Sequence, residues 1–388
     1  MSLRAAIDAL QPEMTAWRHD LHAHPEMGFE EHRTSARVAA LLEGWGIEVH
    51  RGLGGTGVVG VVRGRPGNRA IGLRADMDAL PMQEETELPY ASTAPGVMHA
   101  CGHDGHTTML LGAAKYLAQT RNFSGTVHLI FQPAEEGLAG AKAMLDDGLF
   151  ERFPCDAVYG LHNEPGLPLG QVAVRAGTVL AAVDYFSVTV VGRASHGAQP
   201  HKGIDTISVT AAIIGALQQV VARQVDPLQT AVISVGRIQG GTSDIIIPER
   251  VSFSGSVRTL VPEVRDQVEA AFRRAAEGTA MAMGARVEID YRRAYPPTIN
   301  TSAEAERAAL AAGALLGEGA LRRNDPPITA GEDFAFLLER CPGAYVLFGQ
   351  AQEGRFAISP HNSHYEFNDA LLPLGAAYLA QLAEQELS

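Results

Sequence analysis

Apolar residues recur along the chain in two alternating rhythms. Residues 4–22 and 34–45 space Leu, Ala, Ile and Val at helical intervals. TGVVGVVR (56–63) and RAIGLRA (69–75) read as strands. TVHLIFQ (126–132) and DAVYGLH (156–162) are short apolar runs of buried-strand type. From Asp104 onward, Met109, Leu110, Ala113, Ala114 and Leu117 fall on one helical face. Strands alternating with helices predict an α/β fold with a central mixed sheet flanked by helices.

From about Val183 the rhythm changes. DYFSVTVVG is a strand, GIDTISVTAAIIGALQQVVARQV a long helix with an apolar face, and TAVISVGRIQGG and RVSFSGSVRT are two strands joined through a turn at Pro248. PEVRDQVEAAFRRAAEGTAMAMG is an amphipathic helix, and ARVEIDYRRA closes with a strand. The order is β-α-β-β-α-β, the ferredoxin-like pattern. A small domain is therefore expected at 183–293, inserted in a larger one formed by 1–182 and 294–388. The α/β texture resumes with a helix at 302–316, a strand at GAYVLFG (343–349) and a last helix from about Ala370.

The length of 388 residues agrees with two domains. A formal net charge of −13 argues against nucleic acid as a partner, because phosphate binding needs clustered Lys and Arg. It leaves the sign of a local site open. Three cysteines, Cys101, Cys155 and Cys341, are an odd number set far apart, which favours a reducing compartment over a disulfide framework. MSLRAAIDALQPEMTAW lacks the apolar core of a signal peptide, and AAIIGAL (211–217) is far short of a membrane span. The expectation is a soluble cytoplasmic protein with no membrane partner.

The reactive residues cluster at element ends. RADMD (74–78), QPAEEG (132–137), LHNEP (161–165) and HNSHYEF (361–367) each come after a strand, and HACGHDGH (99–106) leads into a helix. Ligands of open α/β sheets gather outside the C-terminal strand ends, so five such clusters can share one crevice. One bend can aim both Cys101 and His103 at a site, with Glu136, His162 and His361 supplying further ligands. A thiolate, a carboxylate and three neutral imidazoles sum to −2, and two divalent ions leave a net positive centre. Mixed S, N and O ligands suit zinc, nickel, cobalt or manganese better than magnesium or calcium. Glu135 and Glu136 are adjacent and point apart in an extended loop, so one can bind metal while the other takes a proton from water.

Other readings of these residues are plainer. A lone Cys101 is usually a small buried residue. A structural zinc knot needs short-spaced ligand pairs at both ends, and a redox cysteine needs C-x-x-C; neither is present. The glutamate pair could be a solvated helix start. GLGGTG (52–57) precedes a strand rather than following one, so it is a turn and not a dinucleotide fingerprint. His19, His22, His24 and His32 lie in the opening segment, where HAHPE fits a loop near the crevice or a plain helix end equally well. His364 is set aside because one ligand from its turn suffices, and His106 is assigned no role. His196, in RASHGAQPHKG, reads locally as a loop histidine.

Taken together and in order, the clusters resemble the M20 metallopeptidase family of amidohydrolases. RHDLHAHPEMGFEE, LRADMDALPMQE, MHACGHDGHTTMLLG, FQPAEEGLAGAKAML, GLHNEP, ASHGAQPHKGID, GEDFAF and HNSHYEFND match its branch of hippurate, N-acyl-amino-acid and auxin-conjugate hydrolases. The resemblance implies a two-metal catalytic domain and an inserted lid domain through which such proteins often form homodimers. By position it implies Cys101, His103, Glu136, His162 and His361 as metal ligands, Glu135 as general base and Asp78 as the group that orients a ligand. His196 matches a lid histidine that stabilises the reacting carbonyl oxygen, often across a subunit boundary. One position departs: the branch usually has Asn where Ile245 stands, in GGTSDIIIPE. Either the local register differs, with Asp244 substituting, or substrate anchoring has changed; Arg258 is a candidate for the substrate carboxylate.

The implied reaction is hydrolysis of a small N-acyl amino acid, hippurate-like or N-acetyl, to a carboxylic acid and a free amino acid. Close alternatives are an N-acyl-diaminopimelate deacetylase or a dipeptidase. A different class is a non-catalytic protein that keeps a metal pocket for binding or sensing.

Overall fold

The structure, a computed structural model, describes residues 2–388. The chain divides into two compact units: Met1–Val179, Ile299–Pro326 and Asp333–Ser388 form one, and Leu180–Thr298 with Pro327–Glu332 the other.

The first unit is built on an eight-stranded mixed sheet. Its order is Glu48–Leu53, Gly57–Arg63, Ser124–Gln132, Arg65–Asp76, Ala157–Pro168, Gly343–Ala351, Val172–Val174 and Leu321–Arg323. The four middle strands, Ser124–Gln132, Arg65–Asp76, Ala157–Pro168 and Gly343–Ala351, are mutually parallel. Their C-terminal ends therefore share one edge, where open α/β sheets bind ligands. Gly57–Arg63 runs antiparallel to Ser124–Gln132, which makes the sheet mixed.

Helix His103–Thr120 is buried over nearly its whole length, consistent with apolar residues beyond a single stripe. It packs against the last helix, Leu372–Glu386. The approach is close because Gly375 faces Met109: a Cβ at 375 would lie 2.0 Å from the Met109 sulfur. The opening periodic segment is two helices, Leu3–Asp8 and Gln11–Ala23, not one. Pro12 explains the break, since proline is tolerated in a first turn but not inside a helix.

The second unit has the order strand Ala182–Val191, helix Thr206–Gln224, strands Ala231–Gly240 and Arg250–Thr259, helix Pro262–Ala282 and strand Arg286–Tyr295. The four strands form an antiparallel sheet in which Arg250–Thr259 and Ala182–Val191 are central. This is the ferredoxin-like arrangement. Helix Thr206–Gln224 is, by length and composition, long and apolar enough to cross a membrane, which the shorter run at 211–217 does not suggest. Its inner face, Val209, Ile213, Leu217 and Val220, is buried in the core of the unit. A short ribbon missed by the sequence pattern pairs Ser195–His196 with Ile246–Ile247.

Candidate metal centre

Four turns and one strand carry the reactive groups of the first unit. Strand Arg65–Asp76 leads to Asp78, which is fully buried. After strand Ser124–Gln132, Ala134 adopts a left-handed conformation (φ 52°) and the chain turns to present Glu135 and Glu136. Gly102 is also left-handed (φ 94°), and this bend separates Cys101 from His103 at the start of the buried helix. A Cβ at 102 would lie 2.3 Å from Asn163 Oδ1, so glycine is required there on two counts. His361 is left-handed as well (φ 62°), and its backbone N–H donates to Ala100 O at 2.8 Å, tying its turn to the HACGHDGH segment.

The LHNEP cluster does not form a loop after a strand, because the strand expected at DAVYGLH runs on through it. His162 is inside strand Ala157–Pro168. Pairing with Arg65–Asp76 stops at Arg74↔Gly160, whereas pairing with Gly343–Ala351 continues through Gly349↔Glu164. One edge of the strand is therefore released just before His162, which has the same effect as a strand end.

Cys101, His103, Glu136, His162 and His361 come together. Cys101, His103 and His162 offer ligand atoms within 4.8 Å of one another, and so do Cys101, Glu136 and His361. The two triads meet at Cys101. A third group, His103, Glu135 and Glu136, brings the buried Glu135 to the same place.

His162 and His103 each have one nitrogen held and the other turned inward. His162 Nδ1 donates to the Asn163 carbonyl at 2.7 Å, which leaves Nε2 facing Cys101 Sγ at 3.4 Å. His103 Nδ1 is hydrogen-bonded to Asp78 Oδ1 at 3.1 Å, and its buried Nε2 has no hydrogen-bond partner. His361 Nε2 lies 3.0 Å from Glu136 Oε1. Histidine metal ligands are typically oriented in this way by a carboxylate or carbonyl on the far nitrogen. An orphaned imidazole nitrogen, a thiol and a carboxylate aimed at one point fit a divalent cation.

The electrostatics agree. Burial, reinforced by Glu136, pushes the Cys101 thiol well above the usual cysteine range. A bound cation offsets that cost, because it stabilises a coordinating thiolate. Burial pushes His162 down to about 3, so it is neutral and ready to coordinate. Burial also disfavours protonated His103, but Asp76 and Cys101 outweigh it and raise the pKa well above the usual value. A metal competes there with a proton.

Asp78 joins two of the segments. Besides holding His103, its Oδ2 accepts from the Glu136 backbone N–H at 2.9 Å. Glu135 Oε1 accepts from the Asp333 backbone N–H at 3.3 Å. Asp333 is anchored in turn by Arg74 Nη2 at 3.1 Å and Gln132 Nε2 at 2.8 Å.

Residues 72–385 match peptidase family M20/M25/M40. The chain belongs to that family. It is 44% identical to a hippurate hydrolase of Campylobacter jejuni, covering 99% of both chains. It is 38% identical to an N-acetylcysteine deacetylase of Bacillus subtilis, covering 97% of both. Among solved structures it resembles the Bacillus subtilis YXEP protein, described as a dinuclear metal-binding peptidase from the M20 family. That likeness has a TM-score of 0.84 at 36% identity, over 98% of this chain and 99% of the other. As a family member, the protein is a metal-dependent amidohydrolase.

The remaining sequence-derived residues lie in the second unit. His196 is exposed, and its Nδ1 accepts from the Ala198 backbone N–H at 3.0 Å. A neutral His196 therefore carries its hydrogen on Nε2. Asp244 is exposed and Arg258 half-buried on strand Arg250–Thr259. Ile246, not Ile245, stands directly opposite His196 in the short ribbon. Directly paired residues point to the same face, so the apolar neighbour of His196 is Ile246.

Sequence reasoning missed Asp76, Arg74, His106, Asn163 and Asp333, all buried around the ligands. One signal was available: His103 and His106 are three apart at the start of a helix, which puts both on one face.

Proposed function

We propose that the protein hydrolyses N-acyl amino acids to a carboxylic acid and a free amino acid. The observation that carries this reading is the meeting of two ligand triads at Cys101 with the buried carboxylate of Glu135 beside them. Its full-length likeness to a hippurate hydrolase and an N-acetylcysteine deacetylase supports the substrate class.

Cys101, His103, Glu136, His162 and His361 would hold two divalent ions, with zinc, manganese, nickel or cobalt compatible with the donor set. When bound, the ions supply positive charge that polarises the amide carbonyl and acidifies water. Asp78 orients His103 and fixes the Glu136 backbone. Glu135, held by the Asp333 N–H, takes a proton from the attacking water and delivers it to the leaving nitrogen. His196 donates from Nε2 to the carbonyl oxygen as negative charge develops there. The second unit, 183–293 by its sequence pattern, is the lid. Asp244 and Arg258 are the groups we assign to the free carboxylate of the substrate.

Strand Ala231–Gly240, an edge of the antiparallel sheet that carries the exposed Val232 and Ile238, supports a homodimer formed through the second unit. Three free cysteines support residence in the reducing cytoplasm. Light scattering tests the dimer, which a monomer at micromolar concentration overturns.

The deciding experiment is a panel of N-acetyl and N-benzoyl amino acids with protein reconstituted separately with Zn²⁺, Mn²⁺, Ni²⁺ and Co²⁺. Turnover abolished by EDTA is expected. Stoichiometric metal binding without turnover of any member would overturn the reading in favour of a binding or sensing protein.

A further inference from the structure

His106 lies one helical turn beyond His103 and is fully buried. Both of its ring nitrogens are held by the protein. Nδ1 is 2.6 Å from Asp76 Oδ1, and Nε2 is 2.7 Å from Asn163 Oδ1 and 3.2 Å from the Asn163 backbone N–H. The ring stands edge-on to His162, with centroids 4.5 Å apart.

Asp76, His103 and His106 also place ligand atoms within 4.8 Å of one another. That trio does not suit a cation. The second Asp76 oxygen accepts from the buried guanidinium of Arg74 at 2.7 Å, and a fixed positive charge so close opposes a metal ion. Asp76 and His106 are therefore a hydrogen-bonded pair set beside His103.

Asn163 is the point at which this pair reaches the ligands. Its carbonyl takes the Nδ1 hydrogen of His162 at 2.7 Å. Its side-chain oxygen occupies the space over Gly102, between Cys101 and His103. Its side-chain nitrogen donates to Tyr365 Oη at 2.7 Å and to Gln350 Oε1 at 3.2 Å. One buried amide thus touches the bend carrying two ligands and the strand carrying a third.

We propose that His106, acting through Asn163, is a positioning residue that fixes His162 relative to the Cys101–His103 bend and so sets the metal affinity of this side of the centre. The proposal rests on the ligand assignment above.

Two isosteres separate the two sides of His106. The amide of Gln reproduces the Nε2 position and can still reach Asn163. The amide of Asn reproduces Nδ1 and reaches only Asp76. The test loads His106→Gln, His106→Asn and Asn163→Ala with Co²⁺, reading the dissociation constant of each equivalent and the visible and sulfur-to-cobalt absorption bands. The melting temperature of each metal-free variant is measured alongside. We expect His106→Asn and Asn163→Ala to weaken one equivalent by about 10–100-fold and shift the bands. We expect His106→Gln to restore wild-type bands and affinity. If His106→Gln and His106→Asn are equally impaired, or both are normal, the proposal is overturned. Tyr365→Phe removes one partner of Asn163 and serves if the other variants fail to fold; unchanged cobalt affinity in it also overturns the proposal. Failure of the ligand assignment itself is distinct: wild-type protein then binds no cobalt, or Cys101→Ala binds it normally.

Discussion

Asp78 and His103 meet inside the protein, Oδ1 to Nδ1, at 3.1 Å, with both side chains about 1% exposed. The contact decides which imidazole nitrogen is presented to a metal. The other Asp78 oxygen holds the Glu136 backbone, so one carboxylate governs two of the proposed ligands. Asp78→Ala should lower metal affinity by about 10–100-fold, the usual cost of removing such a support. Asp78→Asn keeps an acceptor but loses the charge and should fall between. Competition with a coloured chelator measures both, and wild-type affinity in the alanine variant would remove Asp78 from this role.

Glu135 and Glu136 are neighbours for which we propose opposite duties. Glu136 belongs to a triad with Cys101 and His361, whereas the Glu135 carboxylate is buried and aligned by the Asp333 N–H. Glu135→Gln should retain metal while kcat falls by about 10²–10⁴-fold, the range for loss of a general base. Glu136→Gln should lose metal. Elemental analysis beside steady-state kinetics reads both. Metal loss in the Glu135 variant would make that residue a ligand instead.

The meeting of the candidate ligands was legible because chemistry restricts which residues can serve. Few residues other than Cys, His and carboxylates bind zinc-like ions, and their placement at sheet ends is visible in the alternation of apolar runs. The support beneath them was not. Arg18, His22 and Asp104 form a buried ion cluster, with Arg18 Nη1 at 3.1 Å and His22 Nδ1 at 2.8 Å from Asp104 Oδ2. In the sequence His22 could equally be a plain helix end, because nothing local distinguishes a buried ion pair from a solvated charge. Burial alone lowers its pKa, yet Asp104 and Glu84 overcome that and raise it to about 9. The end of the strand carrying His162 was misplaced for a related reason. Where a strand loses one neighbour is set by pairing partners 80 or more residues away, which local hydropathy does not encode.

The short ribbon of the second unit makes a prediction about specificity. Ile246 shares a face with His196, whereas Ile245 lies in the turn before the ribbon, its carbonyl accepting from the Gly197 N–H. Ile246 is 49% exposed and Ile245 64% exposed, so both can be exchanged without opening a core. If His196 donates to the substrate carbonyl, groups attached to that carbonyl lie against Ile246. Ile246→Ser should lower kcat/KM for N-benzoyl substrates about tenfold relative to N-acetyl ones, the scale of losing an apolar contact. Ile245→Ser should leave that ratio unchanged. The reverse pattern would shift the register and restore the alignment that places Ile245 at the substrate.

Acid sensitivity follows from a histidine outside the candidate ligand set. His128, on strand Ser124–Gln132, is 6% exposed, packs edge-on against Phe153, and has no partner for Nδ1. Burial pushes its pKa down from 6.5 to about 4, and a backbone contact at Pro154 offsets this only in part. The unfolded chain therefore takes up a proton at this residue near pH 6.5 that the folded chain refuses until about pH 4. Stability must fall as pH drops through that window, by at most about 3 kcal/mol from this group. His128→Phe keeps an aromatic ring against Phe153 and removes the titration. Its denaturation midpoint should be flatter than that of the wild type between pH 6.5 and 4, with the two curves converging on the same shape above pH 7. An unchanged acid limb would place the proton uptake on other buried histidines, of which His99 is also held down near 4 by burial.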